Sequence, residues 1–192
     1  MANFRAIHAV GESLRSYLRN IYPTDLPTFD IQLISSSKLA GTEELSNALT
    51  LLLHRVTTNE HLRNSQLGNG NGLSARKTPL ALDLHYLMTV WADNAADEQI
   101  VLAWAMQQLH QYSCFDASSL SPEAGWGTGE TIELVLVDLS SEEIMRIWDR
   151  LKPSYHLSVA YVARAVRIDP GHQEDALPVV ATRFAWQAQE EG

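Results

Sequence analysis

Apolar residues recur at steps of three and four from Phe4 through Ile7, Gly11, Leu14, Leu18 and Ile21, the period of a helix that buries one stripe. Arg5, Glu12, Arg15 and Arg19 lie mostly off that stripe. Pro23, with Pro27 behind it, ends the run, because proline lacks an amide donor and clashes with the preceding turn. The pattern predicts a helix over residues 3–21. From Phe29 the period drops to two: Phe29, Ile31 and Leu33 alternate as in a half-buried strand, and Ser35-Ser36-Ser37 closes it. Residues 47–58 carry Leu49, Leu51 and Leu53 on one parity and end in Val56-Thr57-Thr58. The leucines alone would suit a helix, but the β-rich end favours a strand.

Residues 64–78, with Gly68-Asn69-Gly70-Asn71-Gly72 and Arg76-Lys77, read as an exposed loop. Pro79 then opens a run over 80–92. Leu80, Leu82, Leu84, Tyr86, Met88 and Val90 share one parity, and Ala81, Asp83, His85, Leu87, Thr89 and Trp91 share the other. A strand this long, with one oily and one mixed face, belongs in the middle of a sheet covered by helices on at least one side. Residues 97–112 predict a helix whose centre (Ile100, Val101, Leu102, Trp104, Met106) is apolar nearly all round, hence buried on more than one side. A Ser/Pro/Gly-rich connector over 118–129 leads to a strand at 132–137. Ser140-Ser141-Glu142-Glu143 gives a capping-box start to a helix reaching about Leu151, which Lys152-Pro153 ends. Residues 156–168 form a second long strand, closed by the turn chemistry of Asp169-Pro170-Gly171-His172. Residues 176–192 are too apolar for a mere tail and should pack on their own domain or on a neighbour. These elements predict one α+β domain, with a mixed or mostly antiparallel sheet of four to five strands and packed helices.

The 192 residues suffice for one sizeable core. Fourteen Lys+Arg against 23 Asp+Glu leave a net charge of −9, which argues against a protein built to hold phosphate backbones. The longest apolar run, 100–106, is far below the roughly 18 residues of a membrane span. The first residues lack the apolar core of a secretory signal, and Ala2 stands where myristoylation needs glycine. The single cysteine, Cys114, forms neither an intrachain disulfide nor a thiolate zinc site, as suits synthesis in the reducing cytoplasm.

Candidate chemistry is sparse. His8, His54, His61, His85, His110, His156 and His172 contain no H-x-x-x-H or H-E-x-x-H spacing, so no metal is expected. Cys114 served by a distant His110 or His156 is the remaining nucleophile, but a lone cysteine at a helix end reads more simply as a small packed hydrophobe. Gly68-x-Gly70-x-Gly72 and Gly125-x-Gly127-x-Gly129 lack the spacing and following Lys of phosphate cradles and read as flexible loops. The pairs Glu43/Glu44, Asp97/Glu98 and Glu142/Glu143 sit near predicted helix starts, where the dipole favours negative charge. Arg146 and Arg150 form a short basic repeat better suited to an acidic protein partner than to DNA. The polar run from Thr57 to Asn64, carried between two strong strands, is the best candidate for recognition.

Three stretches taken together resemble a known family: Val56-Thr57-Thr58-Asn59-Glu60-His61-Leu62-Arg63-Asn64, then Pro79 through Trp91, then Ile147-Trp148-Asp149 leading into Tyr155-His156-Leu157-Ser158-Val159-Ala160-Tyr161. In order and spacing they resemble the tail terminator, or cap, proteins of contractile injection systems, the phage-tail-like particles typified by the antifeeding prophage and the virulence cassettes. The likeness runs from the N-terminal helix to about Asp169. It implies a phage-tail-terminator-like α+β fold over 1–175 and a six-fold ring of this chain on the baseplate-distal end of the inner tube and sheath. The ring would stop polymerisation and anchor the last sheath layer. Inner tube and sheath proteins are the implied partners, with the tape-measure protein a further candidate; no cofactor, nucleic acid or membrane insertion is implied, and no catalysis. Some members look longer, whereas this sequence stops at Gly192, so any role of an extension would be absent or supplied by another protein. Polarity and position mark Asn59, Glu60, His61, Arg63, Asn64, Arg76 and Lys77 as partner-facing. Leu177, Val179, Val180, Phe184 and Trp186 mark residues 176–192 as a segment reaching a neighbouring subunit or the sheath. The competing readings are a soluble adaptor without a ring and a hydrolase using Cys114.

Overall fold

The structure, a computed structural model, describes residues 2–39, 45–59, 79–151 and 153–169. Along the chain come α1 (Ala6–Asn20), β1 (Asp30–Ile34), the short α2 (Ser36–Leu39), β2 (Ala48–Thr58), β3 (Leu80–Trp91) and α3 (Ala95–Gln111). There follow β4 (Cys114–Asp116), a 3-10 turn (Pro122–Ala124), β5 (Thr131–Val137), α4 (Ser141–Trp148) and β6 (Ser158–Ile168). The six strands form one sheet in the order β1-β2-β3-β6-β5-β4. β1 runs parallel to β2, and the other described pairings are antiparallel.

β3 is central, as its length and its oily parity predicted. Its even-numbered residues Leu84, Tyr86, Met88 and Val90 meet Val10, Leu14 and Leu18 of α1 and Val101, Ala105 and Leu109 of α3 on one side of the sheet. Its odd-numbered Leu87 and Trp91 meet Leu52 of β2, Ala160 of β6 and Trp148 of α4 on the other. Among the described residues, the second face is covered by the eight-residue α4, with its buried anchor Trp148, and by Leu39 of α2.

Three expectations are corrected. The sheet has six strands rather than four to five; the addition is β4, whose three residues are too few to show a period. It is held by Phe115, buried against Tyr112 in an edge contact at 5.1 Å and against Tyr17 of α1 at 5.6 Å. Helix α3 is not buried on several sides. It buries the stripe Val101, Leu102, Ala105 and Leu109 and leaves Ile100 about half exposed, because the sheet offers it one surface. Trp104 is covered from the flank by Tyr22, ring centroids 4.8 Å apart. The Ser35 cluster does end β1, but Ser36–Leu39 turn into a single helical turn whose Leu39 is buried.

Local signals set the helix starts. Asn94 Oδ1 accepts the Asp97 N–H at 2.9 Å, so α3 begins two residues before Asp97. Ser140 and Glu143 form the predicted capping box: the Glu143 N–H donates to Ser140 Oγ, and Glu143 Oε2 accepts the Ser140 N–H at 3.0 Å. The Ser140 hydroxyl, donating to Glu143 Oε2 at 2.8 Å, and then the Ser140 N–H hold the Glu143 carboxyl below the usual carboxylate range. The N-terminus is tied down as well, since the Ala2 carbonyl accepts the Asp169 N–H at 2.7 Å and the Asn3 N–H donates to the Ala124 carbonyl.

Helix α1 approaches the sheet closely at Gly11, where a Cβ would lie 3.1 Å from the Leu33 methyls and 3.4 Å from the Tyr86 hydroxyl. Tyr86 is 2% exposed, its hydroxyl finds no hydrogen-bond partner among the described residues, and burial pushes its ionisation far up. A buried, unpaired hydroxyl costs stability that a phenyl ring does not. Tyr86→Phe should therefore leave stability unchanged or raise it by about 1 kcal/mol in urea titration; a clear loss would show that the hydroxyl is bonded in solution.

Candidate interaction surface at the open end of the sheet

Beside the N-terminal turn of α4, whose Glu143 lies within electrostatic reach of Arg55, the second face of β2, β3 and β6 turns polar. His85 and Asp83 of β3 lie there, opposite Arg55 and Thr57 of β2. Two irregularities coincide at this level. The β2–β3 register shifts between Leu53 and Arg55, which makes His54 an extra residue on β2. On the other edge, Leu82 pairs with Val166 but Leu84 pairs with Ala163, so β6 sets two residues, Arg164 and Ala165, against Asp83 alone. Ala165 adopts the left-handed φ of 63°, a conformation that costs a residue with a Cβ about 1 kcal/mol.

Asp83 holds this strained bulge in place. Its Oδ1 accepts the Ala165 N–H at 3.1 Å and the Asn59 side-chain N–H at 2.9 Å. The Asn59 backbone N–H donates to the Ala81 carbonyl at 2.9 Å, extending the β2–β3 ladder to the last described residue of that arm. One carboxylate thus ties three strands together where the chain enters residues 60–78.

Beside it, Thr57 Oγ1 lies 2.9 Å from His85 Nε2, and the His54 and His85 rings stand 6.2 Å apart. Partial burial pulls the His54 ionisation below the usual 6.5, helped by the His85 ring and the Arg55 guanidinium. His85 is lowered by burial and by Arg55, with Asp83 opposing. Both shifts favour the neutral imidazole, whose ring nitrogen can bond the Thr57 hydroxyl.

Of the sequence-predicted contact residues, Asn59 is described and serves as a brace between β2 and β3. Glu60, His61, Arg63, Asn64, Arg76, Lys77, Leu177, Val179, Val180, Phe184 and Trp186 lie outside the described residues. So do Glu43 and Glu44. Sequence reasoning missed Asp83 and His85, which read as polar interruptions of a strand. The signal was their place on the mixed parity of a strand otherwise rich in leucine.

The remaining chemical candidates are dispersed. Cys114 is not a packed residue at a helix end; it opens edge strand β4 and is exposed, because Phe115 takes the inward position. His156 stacks on Trp91 with centroids 4.3 Å apart, on the covered half of the second face. Arg146 pairs within α4 to Glu142 at 2.6 Å. The second glycine array is an ordered turn rather than a flexible loop: the Gly127 N–H donates to Glu130 and the Trp126 indole to the Ser121 carbonyl, each at 2.7 Å. Among the described residues no three His, Cys, Asp or Glu side chains converge as metal ligands would.

The sequence matches the family described as Pvc16 N-terminal domain over residues 9–182. The chain belongs to that family. Its fold is similar to the sheath/tube terminator of PVC, an extracellular contractile injection system, in the extended state. The TM-score is 0.58 at 16% identity, over 96% of this chain and 64% of that one. The tube-terminating cap of the anti-feeding prophage also aligns, with a TM-score of 0.49 at 15% identity over 93% of this chain and 59% of that one. This Pvc16-type domain thus spans less than two thirds of the length of either solved structure. No curated protein sequence matches it significantly.

Two outcomes follow for the bulged end of this Pvc16-type domain. Asp83→Ala strands the partly buried Ala165 and Asn59 donors and should cost about 1–3 kcal/mol in denaturant unfolding; an unchanged midpoint would remove Asp83 as the tie. Because the folded pKa values of His54 and His85 lie below the unfolded 6.5, the native state binds fewer protons there. Stability is then full above about pH 6.5 and is lost as the pH falls through the folded values. The His54→Gln/His85→Gln double variant should flatten that acid-side decline in urea midpoints measured from pH 7 to about pH 5, and identical slopes would reject the linkage.

Proposed function

We propose that this chain is a structural cap of a contractile injection particle. Six copies form a ring on the baseplate-distal end of the inner tube and sheath, end polymerisation and hold the last sheath layer. The observation that carries this reading is the family match over residues 9–182. The terminator-like fold, extending over 96% of the chain, supports it. In this reading the domain is made in the cytoplasm, joins the particle there, and performs no catalytic step.

Residues 1–175 form the body of the cap, and residues 176–192 reach a neighbouring subunit or the sheath. The far end of β2 and β3 presents Asn59, Glu60, His61, Arg63, Asn64, Arg76 and Lys77 to partner proteins. A tied base suits that role: Asp83 bonds to both Asn59 and Ala165 where the chain passes beyond β2.

Electron microscopy of particles made with and without this chain tests the proposal. Particles lacking it should lose the terminal density and show irregular length or unstable sheath, and an Arg63→Glu/Arg76→Glu variant should weaken capping. Particles of unchanged length with an intact terminal density would sink the cap reading in favour of a soluble adaptor.

A further inference from the structure

The two helices on the first face of the sheet differ on their outward sides. Away from its buried stripe α1 carries His8, Glu12, Arg15 and Arg19, with Arg15 paired to Glu12 at 2.6 Å, the ordinary charged side of an amphipathic helix. The outward residues of α3 are Ala96, Gln99, Ile100, Ala103, Gln107 and His110. All six are exposed, and none is Asp, Glu, Lys or Arg. A stripe without these charges, with Ile100 49% exposed at its middle, has the composition of an interface centre rather than of a solvated helix face. Its last turns border an apolar groove of about 290 Å³, walled by Leu109 and by the exposed Leu136 of β5, a seat for an anchoring side chain.

The charges beside this stripe have one sign. No lysine or arginine occurs from Thr78 to Met145, whereas eleven of the chain's 23 carboxylates do. Asp93, Asp97 and Glu98 stand at the start of α3, and Asp138 follows the end of β5. These points share one end of the sheet, because Val137 pairs with Ala160, two residues from Ser158, the partner of Thr89 near the end of β3. Among the described residues no ion pair neutralises these four carboxylates. An uncharged centre beside a carboxylate rim complements a surface of apolar side chains rimmed by Lys and Arg.

The same charges decide against this chain as the occupant. Residues 170–192 hold four carboxylates and one arginine, and a second copy carries the same net −9. Residues 60–78 are basic, but Thr58 and Leu80, which flank them, lie at the opposite end of β3, roughly 37 Å from Trp91. We propose that the outward face of α3 docks a different protein of the particle, one that presents apolar side chains within a rim of Lys and Arg. The particle in this statement rests on the cap reading above; the surface rests on α3 itself.

The experiment introduces Gln107→benzoylphenylalanine in the full chain, irradiates assembled particles and identifies the products by peptide mass spectrometry. The expected product joins this chain to a different particle protein, at a peptide with an apolar residue and more Lys and Arg than Asp and Glu. Ile100→Glu, which sets a charge of the rim's own sign in the centre, should cut the yield about tenfold. Asp93→Asn/Asp138→Asn, at two exposed positions, should cut it about threefold and is the second variant should Ile100→Glu disturb the helix. A product with another copy, with this chain's own residues or with an acidic peptide overturns the proposal. So does the absence of a product, or a yield that neither variant lowers. Capped particles without the product remove the docking surface and leave the cap reading standing; particle ends lacking this chain remove both.

Discussion

β3 has a hydrogen-bonded neighbour along nearly its whole length on both edges, and the rest of the domain takes its position from that. Side chains alternate strictly in a strand, so a slip of one residue would drive Tyr86, Met88 and Val90 out of the layer shared with α1 and α3. It would also pull Leu87 and Trp91 away from Trp148. Buried polar groups fix the same register. Thr89 Oγ1 meets Ser158 Oγ of β6 at 2.8 Å, and Thr50 Oγ1 of β2 accepts the Trp91 indole N–H at 2.9 Å while donating to the Thr89 carbonyl. Each such group would be costly to bury unpaired, so the ladder penalises alternative pairings as well as stabilising this one.

The uneven covering of the sheet follows from helix length. Among the described residues, α1 and α3 pack on one face, while α4 covers part of the other, whose polar remainder holds Arg55, Thr57, Asp83 and His85. There the domain carries a left-handed Ala165 and two bulges and offsets their cost with the Asp83 bonds. The chain's family match, over residues 9–182, takes in this bulged end of the sheet.

Much of the architecture was legible because long, periodic segments carry strong signals. The parity of residues 80–91 gave a central strand, the spacing of Phe4 to Ile21 gave α1, and Ser140 with Glu143 gave the start of α4. β4 was not legible, since three residues have no period and Phe115 depends on Tyr17 and Tyr112 arriving from elsewhere. The exposed Ile100 was not legible either: an all-round apolar composition says that a helix could be buried, while the number of surfaces offered to it is set by its neighbours. For the site, the sequence pointed to the polar run after Thr57 but not to Asp83, because a carboxylate's role here is defined by two donors on other strands.

Sequence alone determined the types and order of the longer elements and the α+β class, since these follow from hydrophobic period, proline and capping residues, which act within a few positions. The likeness to cap proteins was carried in the same way, by short motifs in a set order. Tertiary structure decided the strand order, the placing of the bulges opposite each other across β3 and the pairing of Asp83 with Ala165. Each of these joins residues tens of positions apart, and such contacts form only when loop closure is repaid by burial and hydrogen bonding across the assembled sheet.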